Sequence, residues 1–396
     1  MTKFRIKRYI FAIFLLFCSI HSAYCIKLTD KSFVSVLTCS PGGDLYESFG
    51  HTALRICDTS IGLDKGIDYV FNFGIFNFNE NYFYFRFAQG KLSYMLAISD
   101  YQSFVNAYNA EGRVVYEQRL NLTLPEKQKL WDSLEINYLP QNRYYQYDFF
   151  KDNCATRIRD IVAYALIDRT FQKNENKLHN RTFRQKFHDY TANYSWWVLG
   201  IDIALGLPAD KRASDWEYMY LPMDLMEQLD TTLIVAYNQP LAIDNQQIIT
   251  QLKQQSEPSA VPPLLVFGIL FAGACILSLL EYKKKFYGKI FDIILFLLAF
   301  VVSLPVFFLT FLSDHTATIW NLDLLIFNPL LIITLIRLRK TPQWILYLLL
   351  FCLLVATVYH LIFLQTIGIA PIFILLTIAL RLALLLVRKK KGKKSE

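Results

Sequence analysis

The stretch YQYDFFKDNCATRIRDIVAYAL, residues 145–166, places a single cysteine where a helix should begin. Ile158, Ile161, Val162, Ala165 and Leu166 recur at i, i+3, i+4, i+7 and i+8, the spacing of one buried helical face. Asp152 and Asn153, just upstream, are favoured N-cap types. Cys154 then sits among unpaired backbone N–H groups at the positive end of the helix dipole, where a thiolate is stabilised. A thiol nucleophile needs a base to take its proton. Between residue 25 and the apolar tail the chain has three histidines, His51, His179 and His188. The last two lie in the polar segment NENKLHNRTFRQKFHDY and read as solvated surface.

His51 belongs to TCSPGGDLYESFGHTALRICD, residues 38–58, where SPGGD marks a turn and HTALRI alternates as a strand. Taken alone, a histidine hemmed in by Gly50 and small or apolar neighbours reads as structural. Paired with Cys154 it reads as an imidazole that takes the thiol proton, with the thiolate held as an ion pair. A third polar group should then fix the imidazole tautomer. The next strand, GIDYVFNFG (66–74), puts Asp68, Val70 and Asn72 on one face, so Asp68 and Asn72 are candidates; Glu47, four residues before His51, is another. The sequence leaves the three open. The backbone N–H of Cys154 is a candidate oxyanion donor. Arg157 is a candidate binder of phosphate or carboxylate, and Tyr147 a candidate border of the site; for Arg157, as for Arg159, a helix-surface salt bridge is the alternative.

The elements that position these residues emerge from composition. Of 396 residues, 54% are hydrophobic, and they concentrate after about Val261. The start, MTKFRIKRYIFAIFLLFCSIHSAYC, has a basic n-region and an apolar h-region of signal-peptide length. Residues 1–25 are therefore read as a signal, and the domain beyond residue 25 as exported. Residues 26–243 read as the catalytic domain, 244–261 as a polar, proline-containing linker, 262–388 as a membrane domain and 389–396 as a basic tail. About five spans are expected, near 262–280, 290–312, 320–336, 343–362 and 367–387. The connecting segments EYKKKFYGK, RLRK and RKKKGKK are basic, whereas LSDHTATIW and LQTIGIAP lack Lys and Arg. This strict alternation places the basic segments in the cytoplasm and the first span running inward, the orientation an exported domain requires. The net charge of +8 is confined to the membrane flanks, since the catalytic segment is net acidic, which excludes a nucleic-acid footprint there.

The exported segment keeps Cys39, Cys57 and Cys154; a Cys39–Cys57 disulfide would leave Cys154 free. No Cys-x-x-Cys or His/Cys cluster points to zinc, and no glycine loop to a nucleotide, so neither metal nor cofactor is expected. The tail holds polar residues that anchoring alone does not need: Asp314, His315, Asn321, Asp323 and Asn328. They are candidates for binding a lipid headgroup or for docking the catalytic domain. Asn and Pro within NLDLLIFNPL hint at an irregular third span. The aromatic run FNFGIFNFNENYFYFRF (71–87) reads as strand core, with the border of an acyl groove as the alternative.

SPGGDLYESFGHTALRI and YDFFKDNCATRIRD together resemble the Lnb family of bacterial lipoprotein N-acyltransferases, as do FRFAQGKLSYML, the segment 196–229 and DHTATIWNLDLLIFNPL. The resemblance implies an α+β fold: a circularly permuted papain-like domain of the NlpC type, histidine strand before cysteine helix, followed by an α-helical transmembrane bundle. It implies His51 and Cys154 as the catalytic pair. It further implies transfer of an acyl chain from a phospholipid, through a Cys154 thioester, to the α-amine of the lipidated N-terminal cysteine of an exported lipoprotein. The expected setting is the bacterial inner membrane, with the catalytic domain in the periplasm, the C-terminus in the cytoplasm, and phospholipid, diacylglyceryl lipoprotein and bilayer as partners. The competing readings are a membrane-anchored cysteine peptidase or amidase acting on cell-wall peptides, a phospholipase or other lipid acyltransferase, a non-enzymatic assembly factor and a transporter. A peptidase of this type needs no polytopic tail.

Overall fold

The computed structural model describes residues 26–393 apart from 44–46, 61–65, 168–170, 173–180, 192–194, 235–237, 250–260, 285–286, 363–364 and 367. The expected signal (1–25) and His179 lie outside the described residues.

An antiparallel seven-stranded sheet organises the N-terminal domain. Its strands are β1 Phe33–Cys39, β2 His51–Asp58, β3 Ile67–Ile75, β4 Ser93–Asp100, β5 Val115–Leu120, β6 Tyr144–Gln146 and β10 Ala242–Ile249, ordered β10-β5-β1-β2-β3-β4-β6. Three two-residue strands, β7 Phe171–Gln172, β8 Leu233–Ile234 and β9 Gln239–Pro240, form a small separate sheet. The interior strand β1, FVSVLTC, next to the central β2, is buried from its second residue on, because both faces of the sheet are covered. On one face Phe104 of the helix Tyr101–Glu111 packs against Leu37, Cys39, Ala53 and Val70. On the other, Leu130, Trp131 and Leu134 of Leu124–Tyr138, Ile158 and Val162 of Cys154–Ala165, and Leu225 and Leu229 of Pro222–Thr231 cover Val34, Val36, Leu54, Ile56 and Phe71. The result is the expected α+β domain.

Two sequence expectations change here. β10 occupies 242–249 and pairs with β5, so part of the segment read as a linker is sheet, and the domain runs on to Ile249. Its isolated apolar residues gave too little alternation to mark a strand; a half-exposed edge needs none. Cys39 and Cys57 are both free. The β1–β2 register sets Cys39 opposite His51 and Cys57 opposite Phe33, so the two thiols lie at opposite ends of the pair. At the usual rise per strand residue they are about 20 Å apart, far beyond disulfide reach.

Among the described residues, four helices are long and apolar enough to cross a membrane: Pro263–Lys284, Lys289–Phe311, Gln343–Leu361 and Ala370–Lys393. At the third expected span the structure has instead a 3-10 turn, Leu322–Leu325, and a seven-residue helix, Leu331–Arg337. Asn328 and Pro329 interrupt the segment; Asn328 Oδ1 caps the break by accepting from Leu330 N at 2.9 Å. The chain nevertheless passes from one end of the bundle to the other. At one end Arg339 lies over the Tyr287 ring (4.1 Å), Arg388 donates to Glu281 O (3.2 Å) and Lys389 donates to Thr341 O. The three basic segments therefore meet there.

At the other end the tail meets the N-terminal domain. Asp314 N donates to Gln89 O (2.8 Å), Gly206 N to Ala317 O (2.9 Å), and Asn321 Nδ2 to Ile203 O (2.8 Å). Ile203 itself belongs to the hydrophobic core of the bundle. Beneath this contact Arg184 is 1% exposed and bridges Asp202 (3.0 Å) and Asp210 (3.0 Å), while Thr366 N donates to Asp210 (3.1 Å). A buried pair broken from one side leaves uncompensated charge, at a cost of about 3–5 kcal/mol. Arg184→Ala should therefore lower the thermal midpoint of the detergent-solubilised full chain sharply. It should also expose the 205–210 turn to limited proteolysis; an unchanged midpoint would remove the network from the docking contact.

Candidate active site

β2 starts at His51 because the chain turns sharply just before it. Gly50 has φ +79°, and a Cβ there would stand 2.5 Å from the Cys39 carbonyl oxygen, so only glycine fits. Strand alternation then puts His51 on the same face as Cys39, toward the helix Tyr101–Glu111, where its ring stacks on Tyr108 (centroids 6.3 Å, interplanar 11°).

The Cys154–Ala165 helix approaches from the other face. Asn153 caps it: Oδ1 accepts from Ala155 N and Thr156 N, both at 2.9 Å. Its Nδ2 donates to Phe149 O (2.7 Å) and Tyr220 O (2.8 Å), and Asn153 N donates to Thr156 Oγ1 (2.7 Å). Asp152, the other expected cap, instead holds Arg157 at 2.5 and 2.7 Å. Cys154 is thus the first helical residue, 8% exposed. The backbone N–H groups of Thr52, Ala155 and Cys154 face its sulfur. Thr52 directly succeeds His51, so the start of β2 and the start of this helix meet at the thiol.

Asn72 is the polar group beside the imidazole. Its Oδ1 lies 3.3 Å from His51 Nε2, and its Nδ2 donates to Val70 O (3.3 Å) and Ser99 Oγ (3.4 Å), which orients the amide. An acceptor at Nε2 favours the Nε2–H tautomer and leaves Nδ1 as the basic nitrogen. Asp68, toward the far end of β3, forms a two-point ion pair with Arg55 (2.7 and 2.8 Å) and lies opposite Cys57, so it is not brought to His51. Glu47 lies 4.0 Å from Arg113.

Arg113 had no sequence signal, because Ser40, 73 residues away, and the His51 and Cys154 groups it acts on come to it only through the fold. Its Nε donates to Ser40 O (2.9 Å), Nη1 reaches Glu111 (3.1 Å), and the guanidinium sits over the Tyr108 ring (4.8 Å). It is 5% exposed, and its charge acts on both His51 and Cys154.

Burial sets the resting protonation. It pushes the Cys154 thiol above its ordinary value, against the lowering pull of the three backbone N–H groups and Arg113. It pulls His51 down to about 4, with Arg113 adding to the fall and the Asn72 hydrogen bond opposing it. The resting pair is therefore neutral thiol and neutral imidazole, in place of the ion pair expected from residue types.

The other candidates divide. Gly74 (φ +90°) passes close to the site: a Cβ there would lie 3.7 Å from Cys154 Cβ, 3.7 Å from the Tyr147 ring and 3.8 Å from the Tyr145 hydroxyl. Tyr147 therefore borders the thiol. Arg157 lies over the Tyr145 ring (3.6 Å) and, with Phe73, Lys151 and Tyr164, lines an open cleft of ≈ 640 Å³ on the helix flank. The tail residues make protein contacts. His315 Nε2 donates to Phe87 O (2.7 Å), Asp314 is 3.9 Å from Lys91, Asn321 accepts from Gln365 (3.1 Å), and Asn328 contacts Cys352 Sγ (3.8 Å). Asp323 accepts from the Tyr359 hydroxyl at 3.1 Å. Thr316 donates to Asp148, in the turn that leads into the Cys154 helix. His188, expected at the surface, hydrogen-bonds buried Asp202 (2.9 Å). Among the described residues no group of three or more His, Cys, Asp or Glu side chains gathers as metal ligands would.

A free cysteine at a capped helix start, a strand histidine next in sequence to the Thr52 N–H that faces the sulfur, and a polytopic helical tail docked on the same domain describe a class: membrane-anchored proteins with a candidate site in the domain outside the spans. The comparisons make this specific. Residues 26–193 match the Lnb N-terminal periplasmic domain and residues 254–393 match the Lnb transmembrane domain. The chain belongs to the Lnb family, membrane-anchored lipoprotein-processing enzymes with an exported N-terminal domain. No curated protein and no solved structure gave a match.

A neutral resting thiol has a reactivity signature. Alkylation of Cys154 by iodoacetamide, read on its own peptide by mass spectrometry, should rise about tenfold per pH unit from pH 7 to 9 as the thiolate fraction grows. A rate already flat across that window would mean a preformed thiolate and contradict the neutral pair.

Proposed function

We propose that this protein is a lipoprotein N-acyltransferase working through a Cys154 thioester. The observation that carries the reading is the Thr52 N–H, one residue after His51, facing the Cys154 sulfur on a domain hydrogen-bonded to the loop at the end of the membrane bundle. Cys154 Sγ attacks the acyl carbonyl of a phospholipid while His51 Nδ1 takes the thiol proton, so charge develops only as the bond forms. The carbonyl oxygen becomes an oxyanion beside the backbone N–H groups at the helix start. The lysolipid alkoxide leaves with the proton from His51. The α-amine of the lipoprotein's N-terminal cysteine then attacks the thioester, His51 accepts its proton, and the Cys154 thiol is restored. Asn72 keeps the imidazole turned so that Nδ1 serves in both halves. Water must stay out of the thioester stage, or the enzyme is a lipase; a buried cysteine supports that requirement.

The gathering of the three basic segments at the end away from the domain supports a cytoplasmic location for them and for the C-terminus. The catalytic domain then faces the outer leaflet of the bacterial inner membrane, where both substrates reside.

The deciding experiment expresses the chain, or its Cys154→Ala form, in cells lacking their own N-acyltransferase and weighs a lipoprotein N-terminal peptide. One added amide-linked acyl chain with the intact chain alone is expected; none, with the protein present in the membrane, rejects the function for that acceptor. In the same assay Asn72→Ala should slow transfer by about 100-fold through a misplaced imidazole. Asp68→Asn, remote from His51, should leave the rate per folded molecule within a few fold. Equal losses in both would take the orienting role away from Asn72.

A further inference from the structure

The aromatic run 71–87 splits into two parts. Phe71 and Phe73 are strand core. The second part leaves the sheet and exposes its rings: Tyr82 is 82% exposed, Tyr84 83%, Phe78 and Phe85 55% each and Phe87 50%. So dense an apolar patch on a soluble face calls for an occupant. Its position identifies one. Phe85 meets Phe308, near the end of the membrane helix Lys289–Phe311 (ring centroids 5.9 Å). The bonds from Asp314 N to Gln89 O and from His315 to Phe87 O pin the patch at that level. Gly90 (φ +72°) closes the contact, since a Cβ there would lie 3.1 Å from His315 N. Trp320, at the same end of the bundle, is 73% exposed. Tyr and Phe rings held where a span emerges belong at the boundary of headgroups and acyl chains.

The inner side of the patch leads to the thiol. Phe83 packs on Phe76 (5.8 Å), Phe76 on Tyr94 (5.3 Å) and Tyr94 on Tyr147 (4.5 Å), and Tyr147 borders Cys154. We propose that residues 76–88 lie in the bilayer interface and that the ring row Phe83–Phe76–Tyr94–Tyr147 is the surface along which a phospholipid acyl chain leaves the leaflet for Cys154. The second half of this inference rests on the function proposed above; the first half does not.

Two measurements separate them. The full chain is reconstituted into phosphatidylethanolamine/phosphatidylglycerol vesicles carrying a phospholipid with a diazirine on an acyl carbon next to the glycerol. Photolabelling should mark the 76–88 peptide, in the wild type and in Cys154→Ala alike. Label on the membrane helices with none on 76–88 overturns the interfacial position. Acylation of Cys154 is then measured with bilayer phospholipid and with a short-chain phospholipid dissolved as monomer. Tyr82→Ser/Tyr84→Ser, at surface positions, should fold normally, acylate at least tenfold more slowly from the bilayer and match the wild type with the monomeric donor. Equal rates from the bilayer overturn the acyl route. A wild type that acylates from neither donor overturns the acyltransferase reading and with it the route, leaving the interfacial position to the photolabelling.

Discussion

Asn153 holds the start of the Cys154–Ala165 helix from several directions at once, and the site depends on that hold. Its side-chain oxygen takes two of the N–H groups that a helix start leaves unpaired, and its amide ties the cap to Phe149 and Tyr220. The helix is thereby fixed against the loop before it and against the Tyr220 turn, 67 residues away in sequence. Only a helix start so fixed can keep Cys154 against the first residues of β2. The same cap explains why Asp152 is left to pair with Arg157: one residue does the capping, and the carboxylate beside it steadies the next turn.

From that arrangement the electrostatics emerge. A helix start and three backbone N–H groups favour a thiolate, while the closure of the fold around them favours the thiol, and closure prevails. Arg113 stands near His51 and makes the imidazole a weaker base at rest. A site built this way holds the thiol proton at rest, as the proposed acyl transfer requires. Such reluctance suits chemistry whose intermediate water would destroy.

Much of this was legible in the chain. The i, i+3, i+4 pattern after Cys154 and the Asn153 cap type specify the cysteine helix through local rules, which is why they hold. Asn72 could not be separated from Asp68 by spacing, since both face the same side of β3; the choice comes from register, which sets Asp68 beside Arg55 at the far end. Arg113 was invisible because Ser40, which fixes its guanidinium, and the groups its charge acts on, His51 and Cys154, are distant in sequence, and the Thr316–Asp148 contact because its partners are 168 residues apart. Hydropathy marked the 320–336 segment as a span. The Asn and Pro of NLDLLIFNPL hinted at an irregularity there, but hydropathy sums over a window and could not show that Asn328 and Pro329 reduce the span to a 3-10 turn and a seven-residue helix.

The loop 313–320 grips the N-terminal domain at three separated points, Gln89, Asp148 and Gly206. A domain gripped so cannot swing out to sample the surrounding fluid. The lipid-borne partners proposed above would come to it sideways, by diffusion within a two-dimensional sheet, and meet it at one fixed height. Selection then precedes recognition: tethering in that sheet raises a partner's local concentration above that of a dissolved molecule before chemistry tells one from another.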